Sequence, residues 1–511
     1  MTVTLLTVVL FLPLAGFLAA LFLPRRSPDA SRRFALAVSL VTFLASLGLL
    51  AWFDRGAGGE QLSTDVPWIA SPNIHFAISV NGVSLWLVLL STLLAPICVL
   101  ISWRSIRTRA KEFYAFLLLL EFGLIGVFLA QDLFLFYVFW EVSLVPMYFL
   151  IGIWGHDRRI YAAVKFFLYT MAGSVLMLAA IVYLYIHAHT FSYAAILNQL
   201  SSGELRLGAE EQMLLFLGFF VAFAIKVPLF PLHTWLPDAH VEAPVAGSVM
   251  LASVMLKMGA YGILHFCLPL FPSAARQSAG WIATLAIVGI IYGALVAMVQ
   301  PNMKKLVAYS SVSHLGFVVL GIFSFTQQGL DGAVYQMLNH GISTGALFVF
   351  VGLLYERRHS LEIADYGGVA TAAPWLSTAF LVTTLASIGL PALNNFVGEF
   401  LVLQGAAAAH FKWAVWASLG VILSACYMLW LYQRVFYGVA GDEVRSRVSD
   451  LRPREWAAVI PLLIMMVWMG VYSQSFLPPV GKVTAQVLAQ SDVNVPYRVE
   501  TRPRAEVARA R

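Results

Sequence analysis

Six ionisable side chains interrupt long apolar stretches of this sequence, and their types suit them to moving charge. They are Lys165, Lys226, Lys257, Glu121, Glu141 and Glu399. On insertion scales, a charged side chain at the centre of a bilayer costs about 2.5–3.5 kcal/mol. Such residues are usually paired, hydrated or neutral, and they mark ion or proton paths. The set therefore indicates proton or ion transfer rather than a simple membrane anchor.

The segment from Ala224 to Met258 carries two of these lysines and the clearest sign of an interrupted helix. It reads AIKVPLFPLHTWLPDAHVEAPVAGSVMLASVMLKM. Lys226 precedes Pro228 by two residues, and Pro231 follows. A proline inside a span frees backbone groups that only protein or water can satisfy. A charge beside a broken helix is typical of an ion path.

Glu141 is predicted to control the proton affinity of Lys226. It lies in the middle of the apolar run LFLFYVFWEVSLVPMYF. A nearby carboxylate strengthens the hold of a buried amine on its proton, whereas burial alone weakens it. A change in their separation would therefore switch the lysine between holding and releasing a proton. The alternatives are a static buried ion pair and a lysine that reaches the surface.

Four further residues extend the predicted relay. Lys257 is central in the next apolar run, where a static ion pair is the alternative. His314 (YSSVSHLGF) and His340 (QMLNHGIST) are central in consecutive runs. Neutral imidazole both donates and accepts hydrogen bonds, which suits a proton wire, although each histidine is alternatively a hydrogen-bonded core residue. Glu399 (NNFVGEF) follows a second break and suits an exit carboxylate, or an acid that simply reaches the outer water.

Secondary candidates have a weaker case. Lys165 lies near the end of its run, where a lysine often reaches the surface. Glu121 is alternatively a structural partner for a neighbouring span. A cluster in the next inner loop would gather protons or be solvated; its members are His233, Asp238, His240 and Glu242.

The composition indicates one polytopic membrane protein. Of 511 residues, 60% are hydrophobic and 11% are charged, against about 25% charged in soluble domains. The three cysteines form no CxxC pair, and no GxGxxG or P-loop motif is present. We therefore expect no metal site, redox cofactor or nucleotide in this chain. The net charge of +6 follows from lysines and arginines concentrated in the loops on one side of the membrane, as described below. We therefore expect lipid rather than nucleic acid as a partner.

Apolar runs of about 20 residues predict fourteen membrane spans in an all-α protein. Their ranges are 3–23, 34–53, 82–103, 113–130, 133–153, 162–187, 211–236, 244–268, 280–300, 306–324, 331–354, 374–403, 410–433 and 456–477. Loops assigned inside hold 19 lysines and arginines, whereas outer loops and span ends hold 4. This bias follows the positive-inside rule and predicts both termini on the outer side. The arginine-rich C-terminal tail disagrees with the bias, which earlier spans can override.

An internal repeat follows from two proline-containing segments. Ile225–Pro228 aligns with Ile388–Pro391, in the seventh and twelfth spans. An odd number of crossings between them predicts inverted repeats, formed by spans 4–8 and 9–13. The predicted units are 1–112, 113–268, 280–437 and 438–511. We also expect 191–200 to lie along the outer surface and the last 34 residues to form a polar tail against a neighbour or lipid.

The sequence resembles the antiporter-like membrane subunits of respiratory complex I over about Gly82 to Tyr437. The motifs that carry the resemblance are LFYVFWE, AIKVPLFPLHTWLPDAHVEAPV, SVSHLG, LNHGIS and NNFVGEF. It implies fourteen spans, two inverted five-helix repeats and broken helices 7 and 12. It also implies that Glu141 and Lys226 form the coupled pair and that Lys257 is the central relay. His314, His340 and Glu399 would continue the path, with glutamate where sister subunits usually have lysine.

The resemblance further implies a bacterial inner-membrane protein that moves protons while partner subunits carry out the redox chemistry. NADH, flavin, iron–sulfur clusters and quinone would bind in those partners. The expected neighbours are other complex I membrane subunits, especially the sister subunits L and N. Two alternatives remain, a subunit of a Na⁺/H⁺ antiporter and a non-catalytic scaffold of the membrane arm.

Overall fold

The computed structural model describes residues 2–25 and 27–492, which are mostly helical. The elements of the first half are α1 (Thr2–Ala20), α2 (Pro28–Trp52), β1 (Gln61–Ile69), β2 (Ile74–Val80), α3 (Ser84–Ile101), α4 (Ala110–Leu129), α5 (Leu133–Trp154), α6 (Arg159–Ala188), α7 (Tyr193–Ser202), α8 (Ala209–Lys226), α9 (Trp235–Glu242) and α10 (Val245–Leu270). The second half contains α11 (Pro272–Met298), α12 (Met303–Phe323), α13 (Gln327–Arg358), α14 (Val369–Ala372), α15 (Pro374–Ser387), α16 (Asn394–Ala409), α17 (Phe411–Phe436), α18 (Asp442–Arg447), α19 (Pro453–Val471) and α20 (Leu477–Gln490).

The described residues include eleven helices that are long and apolar enough to cross a membrane. Every predicted apolar run coincides with one of these helices, with the shorter α1, or with one of the pairs α8/α9 and α15/α16. The all-α polytopic fold class is therefore confirmed. The inverted repeat and the division into four units stay predictions.

The first broken helix lies at the predicted proline pair. α8 ends at Lys226 and α9 begins at Trp235, with Pro228 and Pro231 between them. The indole Nε1 of Trp235 donates to the carbonyl of Ile225 at 2.9 Å. This hydrogen bond satisfies a backbone group that the interruption would otherwise leave free in an apolar setting.

The second broken helix repeats this arrangement with different chemistry. α15 ends at Ser387 and α16 begins at Asn394, with Pro391 in the gap. Gly389 in the same gap has a φ of +75°, which glycine adopts without steric penalty. The side-chain amide of Asn395 donates to the carbonyl of Ser387 at 3.4 Å. Both breaks therefore leave polar groups inside the bundle.

Helix α10 is the most irregular of the long helices. It contains two π-helical segments, Leu251–Met255 and Ile263–Cys267, which flank Lys257. Its most apolar 18-residue window is completely buried, as is that of α13. A π segment shifts the backbone hydrogen bonds from the i→i+4 to the i→i+5 pattern, which leaves some carbonyl oxygens free to accept other hydrogen bonds. Such segments are frequent at functional sites. Polar side chains on these two helices therefore face other protein groups rather than lipid.

A two-stranded antiparallel ribbon between α2 and α3 adds to the predicted helices. Strands β1 and β2 pair directly, and the turn between α4 and α5 joins them through Gln131 N, which donates to Ala77 O at 2.9 Å. Apolar residues alternate along β2 as Ile74, Phe76, Ile78 and Val80. That period-two pattern is the local signal for a strand. At seven residues, β2 is too short to stand out as an apolar run of membrane-spanning length.

The expected polar tail is partly wrong. Leu477–Gln490 forms α20, which packs on the bundle instead of extending away from it. The amide of Gln327 donates to the hydroxyl of Thr484 at 2.8 Å, and the indole of Trp86 donates to the carbonyl of Phe476 at 3.2 Å. Residues 493–511, the arginine-rich part, lie outside the described residues. The segment predicted along the outer surface, 191–200, largely coincides with α7.

A buried ion pair fastens the end of α13 to α19. Arg357 Nη2 and Glu455 Oε2 are 2.6 Å apart, and both side chains are almost completely buried. The same guanidinium also donates to the carbonyls of Leu353, Ser449 and Asp450. Because the charges are paired and hydrogen-bonded, this site is structural.

Replacing Arg357 with methionine (Arg357→Met) would leave Glu455 buried without its partner. Losing one partner of a buried ion pair costs about 3–5 kcal/mol, so we expect a lower unfolding temperature in detergent and less assembled protein. The control is Arg358→Met, since Arg358 pairs with the half-exposed Glu443, and such pairs contribute about 0–1 kcal/mol. Equal losses in the two variants would contradict a structural role for the buried pair.

Candidate functional site

Lys257 and His340 form the centre of a buried polar chain. Lys257 Nζ lies 2.6 Å from His340 Nδ1 and donates to Ala252 O at 2.5 Å. Both side chains are fully buried. The carbonyl of Ala252 is available because it belongs to the π segment that precedes the lysine. The two predicted relay residues, on α10 and α13, are thus in direct contact.

The chain continues from His340 to Glu399 through His314. The ring centroids of His340 and His314 are 5.9 Å apart, and His314 Nδ1 lies 2.9 Å from Glu399 Oε1. The amide of Gln336 donates to the same carboxylate oxygen at 3.1 Å, and the hydroxyl of Tyr427 is 3.4 Å from His314 Nε2. Four of the six predicted relay residues therefore lie in one buried series across α10, α13, α12 and α16; the other two are Glu141 and Lys226.

Glycines allow these helices to approach closely enough for the contacts to form. A Cβ on Gly398 would lie 2.5 Å from Gln336 Oε1, and one on Gly332 would lie 2.6 Å from Val402 N. A Cβ on Gly341 would meet the carbonyl of Ser253 at 2.9 Å. Small residues at helix contacts permit close backbone approach in membrane proteins. The positions of Glu399 and His340 therefore depend on glycines at the contacts of α13 with α16 and α10.

Lys226 is buried but is not in a close ion pair. Among the described groups its Nζ has no hydrogen-bond partner, and it lies over the rings of Trp140 and Phe166 at 5.3 and 5.2 Å. Glu141 is partly buried, and its Oε1 also has no partner within the described residues. The structure therefore shows neither the static ion pair nor a lysine that reaches solvent.

No hydrogen bond in the described residues joins Lys226 to Lys257. The helices that carry them are nevertheless packed tightly, since a Cβ on Gly259 would lie 2.5 Å from Phe223 O and 3.0 Å from Val227 N. The two lysines therefore belong to neighbouring but separate polar groups.

Two secondary candidates pair with each other. Lys165 Nζ and Asp238 Oδ2 are 2.6 Å apart, with side chains 21% and 31% exposed. Beside them, the hydroxyls of Tyr169 and Thr234 are 2.7 Å apart. An ion pair of this exposure contributes little to stability. Lys165 is therefore held at the edge of the bundle by the first turn of α9.

Three other secondary candidates are buried. His233 and His240, expected in a solvated loop, lie inside the bundle, and none of their ring nitrogens has a partner among the described groups. The ring of His240 stacks on Phe348 at 4.6 Å. Glu121 is also fully buried, and both of its carboxyl oxygens lack a described partner. These side chains must be neutral or hydrated.

Lys304, Gln336 and Tyr427 are buried residues that sequence reasoning missed. Lys304 lies between the predicted spans 280–300 and 306–324, yet its Nζ donates to the carbonyls of Ala243, at 2.5 Å, and Val241, at 3.3 Å. The neighbouring Lys305 is only partly buried. The pair of adjacent lysines gave no signal that one of them points inward.

Comparison with known proteins gives the family. The NADH:quinone oxidoreductase/Mrp antiporter transmembrane family matches residues 130–424, more than half of the chain. The chain belongs to this family. Subunit M of NADH-quinone oxidoreductase from Rhodobacter capsulatus is 46% identical over 495 residues, which cover 95% of this chain and 96% of the relative. Chain 4 of NADH-ubiquinone oxidoreductase from Chondrus crispus is 43% identical, covering 91% and 94%.

Solved structures of the family share the fold. A chain of respiratory complex I from Thermus thermophilus with bound NADH is 34% identical, with a TM-score of 0.85 and coverage of 96% of this chain and 100% of that one. A chain of the Mrp complex from Dietzia sp. DQ12-45-1b is 19% identical, with a TM-score of 0.81 and coverage of 95% and 98%. The second likeness shows the fold alone. The predicted resemblance to antiporter-like complex I subunits is confirmed.

Gly398→Ala tests whether the glycine contact positions Glu399. The added methyl would press on Gln336, which donates to the carboxylate, and overpacking costs about 1–3 kcal/mol. We expect NADH:quinone turnover by the complex that contains this chain to fall about tenfold. This corresponds to an increase of about 1.4 kcal/mol in the rate-limiting barrier, within the cost of overpacking. The control is Gly280→Ala, because no atom lies within 4 Å of a Cβ at that site. Wild-type activity in both variants would exclude this positioning role.

Proposed function

We propose that the chain is an antiporter-like, proton-translocating membrane subunit of an NADH:quinone oxidoreductase. The observation that carries the proposal is the buried series Lys257, His340, His314 and Glu399, in a chain that belongs to this family. The names of the relatives and the 34% identity to a chain of the Thermus complex support the assignment to complex I.

The proposed transfer starts with a proton shared by Lys257 and His340. When the lysine is an ammonium, Ala252 O and neutral His340 both accept from it. Proton transfer to His340 Nδ1 leaves a neutral amine and an imidazolium. The next transfer is to His314, whose ring centroid lies 5.9 Å away, and His340 Nε2 has no hydrogen-bond partner among the described groups. A bridging water or a ring rotation therefore completes that step.

Glu399 is the proposed acceptor at the end of this series. Its Oε1 faces His314 Nδ1 at 2.9 Å, and its Oε2 has no described partner. A carboxylate with one occupied and one open oxygen receives a proton on one side and releases it on the other. Gly389, in the helix break, leaves space near Oε2, since a Cβ there would lie 3.1 Å from it. The break itself is where water would reach the acid.

The proposed switch is the separation between Lys226 and Glu141. In the present structure the two charges are apart, and Lys226 lies over aromatic rings. Their approach would strengthen the lysine's hold on its proton, and their separation would weaken it. The driving energy would come from redox chemistry in partner subunits that bind NADH, flavin, iron–sulfur clusters and quinone. Sister subunits L and N are the proposed neighbours in a bacterial inner membrane, with both termini outside.

Lys226→Ala is expected to lower coupled NADH:quinone turnover and proton pumping about tenfold or more, a barrier increase of about 1.4 kcal/mol or more. The variant removes the switching amine while the helix break remains. Turnover and acidification are measured in membrane vesicles that contain the assembled complex. Lys412→Ala, at an exposed position of α17, is the control. Normal pumping by an intact Lys226→Ala complex would refute the relay.

Glu399→Gln keeps the size of the side chain and removes its ability to take up a proton. We expect pumping to be lost while the complex still assembles, and Glu399→Asp to restore part of it because a carboxylate returns. The restored fraction is measured as protons moved per NADH oxidised. If Gln and Asp gave the same ratio, titration of Glu399 would not be part of the mechanism.

Two other functions give different results in the same vesicles. The first alternative is a Na⁺/H⁺ antiporter subunit, and the likeness to the Mrp chain concerns the fold alone. It predicts proton transport that requires sodium and is lost when potassium replaces it. A scaffold would tolerate Glu141→Gln with full activity, whereas deletion of the chain would stop assembly.

A further inference from the structure

A cavity of about 610 Å³ lies at one end of the bundle, away from the proposed relay. At this end α3, α5 and α13 finish, while α10, α12 and α19 begin. Its basic lining residues are Arg104, Arg107, Lys304, Arg357, Arg447 and Arg452. They come from four separate parts of the chain, so their convergence is a property of the fold rather than of one charged run.

The positive charge of this cavity is largely uncompensated. Glu356 is the one carboxylate among its lining residues, and Arg357 is already paired with Glu455. Within the described residues, none of the other four arginines forms an ion pair. His156 also lines the wall, where burial and the nearby Lys304 ammonium lower its pKa to about 4. It is therefore neutral near pH 7, so it neither adds to nor offsets the positive charge.

The positive-inside rule accounts for basic residues at this end of the bundle. It does not account for their grouping around one concave space, since charges in loops repel one another and spread into water when nothing holds them together. Arginine also predominates here over lysine. Its planar guanidinium matches the oxygens of a phosphate in a two-pronged contact.

We propose that this cavity binds a phosphate-bearing anion, either the headgroup of an anionic phospholipid or free phosphate. Arg104 and Arg107 would contact it from the α3–α4 loop, and Arg447 and Arg452 from the opposite segment. Lys304 lies in the wall and holds the carbonyls of Val241 and Ala243, at the end of α9. A bound anion would therefore connect this face of the protein to the second half of the first broken helix.

The test compares three variants of the purified assembly that contains this chain. Arg447→Gln combined with Arg452→Gln removes two exposed cavity charges. Arg445→Gln is the matched control, because Arg445 lies on the same short helix, α18, and does not line the cavity. Arg104→Gln changes a residue on the opposite wall. This second test variant does not depend on α18 remaining folded.

Two probes distinguish the sources of phosphate. In one arm, mass spectrometry counts phosphatidylglycerol molecules retained by the assembly after purification from vesicles of phosphatidylcholine and phosphatidylglycerol. In the other, equilibrium dialysis measures binding of radiolabelled inorganic phosphate to lipid-depleted assembly. Each basic residue near an anionic group contributes a factor of about five, so the double variant should bind about 25-fold more weakly in the arm that reports the true ligand.

Retention of phosphatidylglycerol that falls in the double variant and in Arg104→Gln, but not in Arg445→Gln, would support a lipid headgroup. The same pattern with inorganic phosphate would support a free anion. Neither probe binding the wild-type assembly would overturn the proposal. Equal binding by wild type and all variants would overturn it as well, because binding would then lie elsewhere.

Discussion

The cost of burying ionisable groups governs this structure. An unpaired charge in an apolar interior is too unfavourable to persist, so each such group must be paired, neutral or hydrated. The protein meets this requirement along α10 and α13, whose apolar windows are enclosed entirely by other protein groups. Lys257 contacts His340 and His314 contacts Glu399, and the two histidine rings lie next to each other. Under the proposed function, a proton moves along this series rather than leaving an isolated charge in hydrocarbon.

Irregular backbone supplies the polar groups that regular helices withhold. The π segment before Lys257 exposes Ala252 O to the amine, and side-chain donors satisfy the carbonyls at both helix breaks. Buried charges in this protein differ in how completely they are satisfied. Arg357 has a carboxylate and three carbonyls around it, whereas Lys226 lies over aromatic rings and has no hydrogen-bond partner among the described groups. A fully satisfied charge stays fixed, and an incompletely satisfied one can respond to its surroundings.

The buried polar groups are connected unequally. Contacts run without a large gap from Lys257 to Glu399, but none in the described residues joins Lys226 to Lys257. Their helices pack tightly at Gly259. Under the proposed function, this interval is where movement of the helix break or of water must make the connection.

The sequence by itself determined the membrane class, the positions of the apolar runs, both helix breaks, the deep ionisable residues and the resemblance to the family. These features are local, since run length, proline chemistry and residue type act over a few turns of chain. Only the tertiary structure decided that Lys257 contacts His340, that Lys226 and Glu141 stand apart, and that His240 and Lys304 are buried. It also decided that α20 packs on the bundle. Contacts of this kind depend on how elements distant in sequence pack together, which no local pattern encodes.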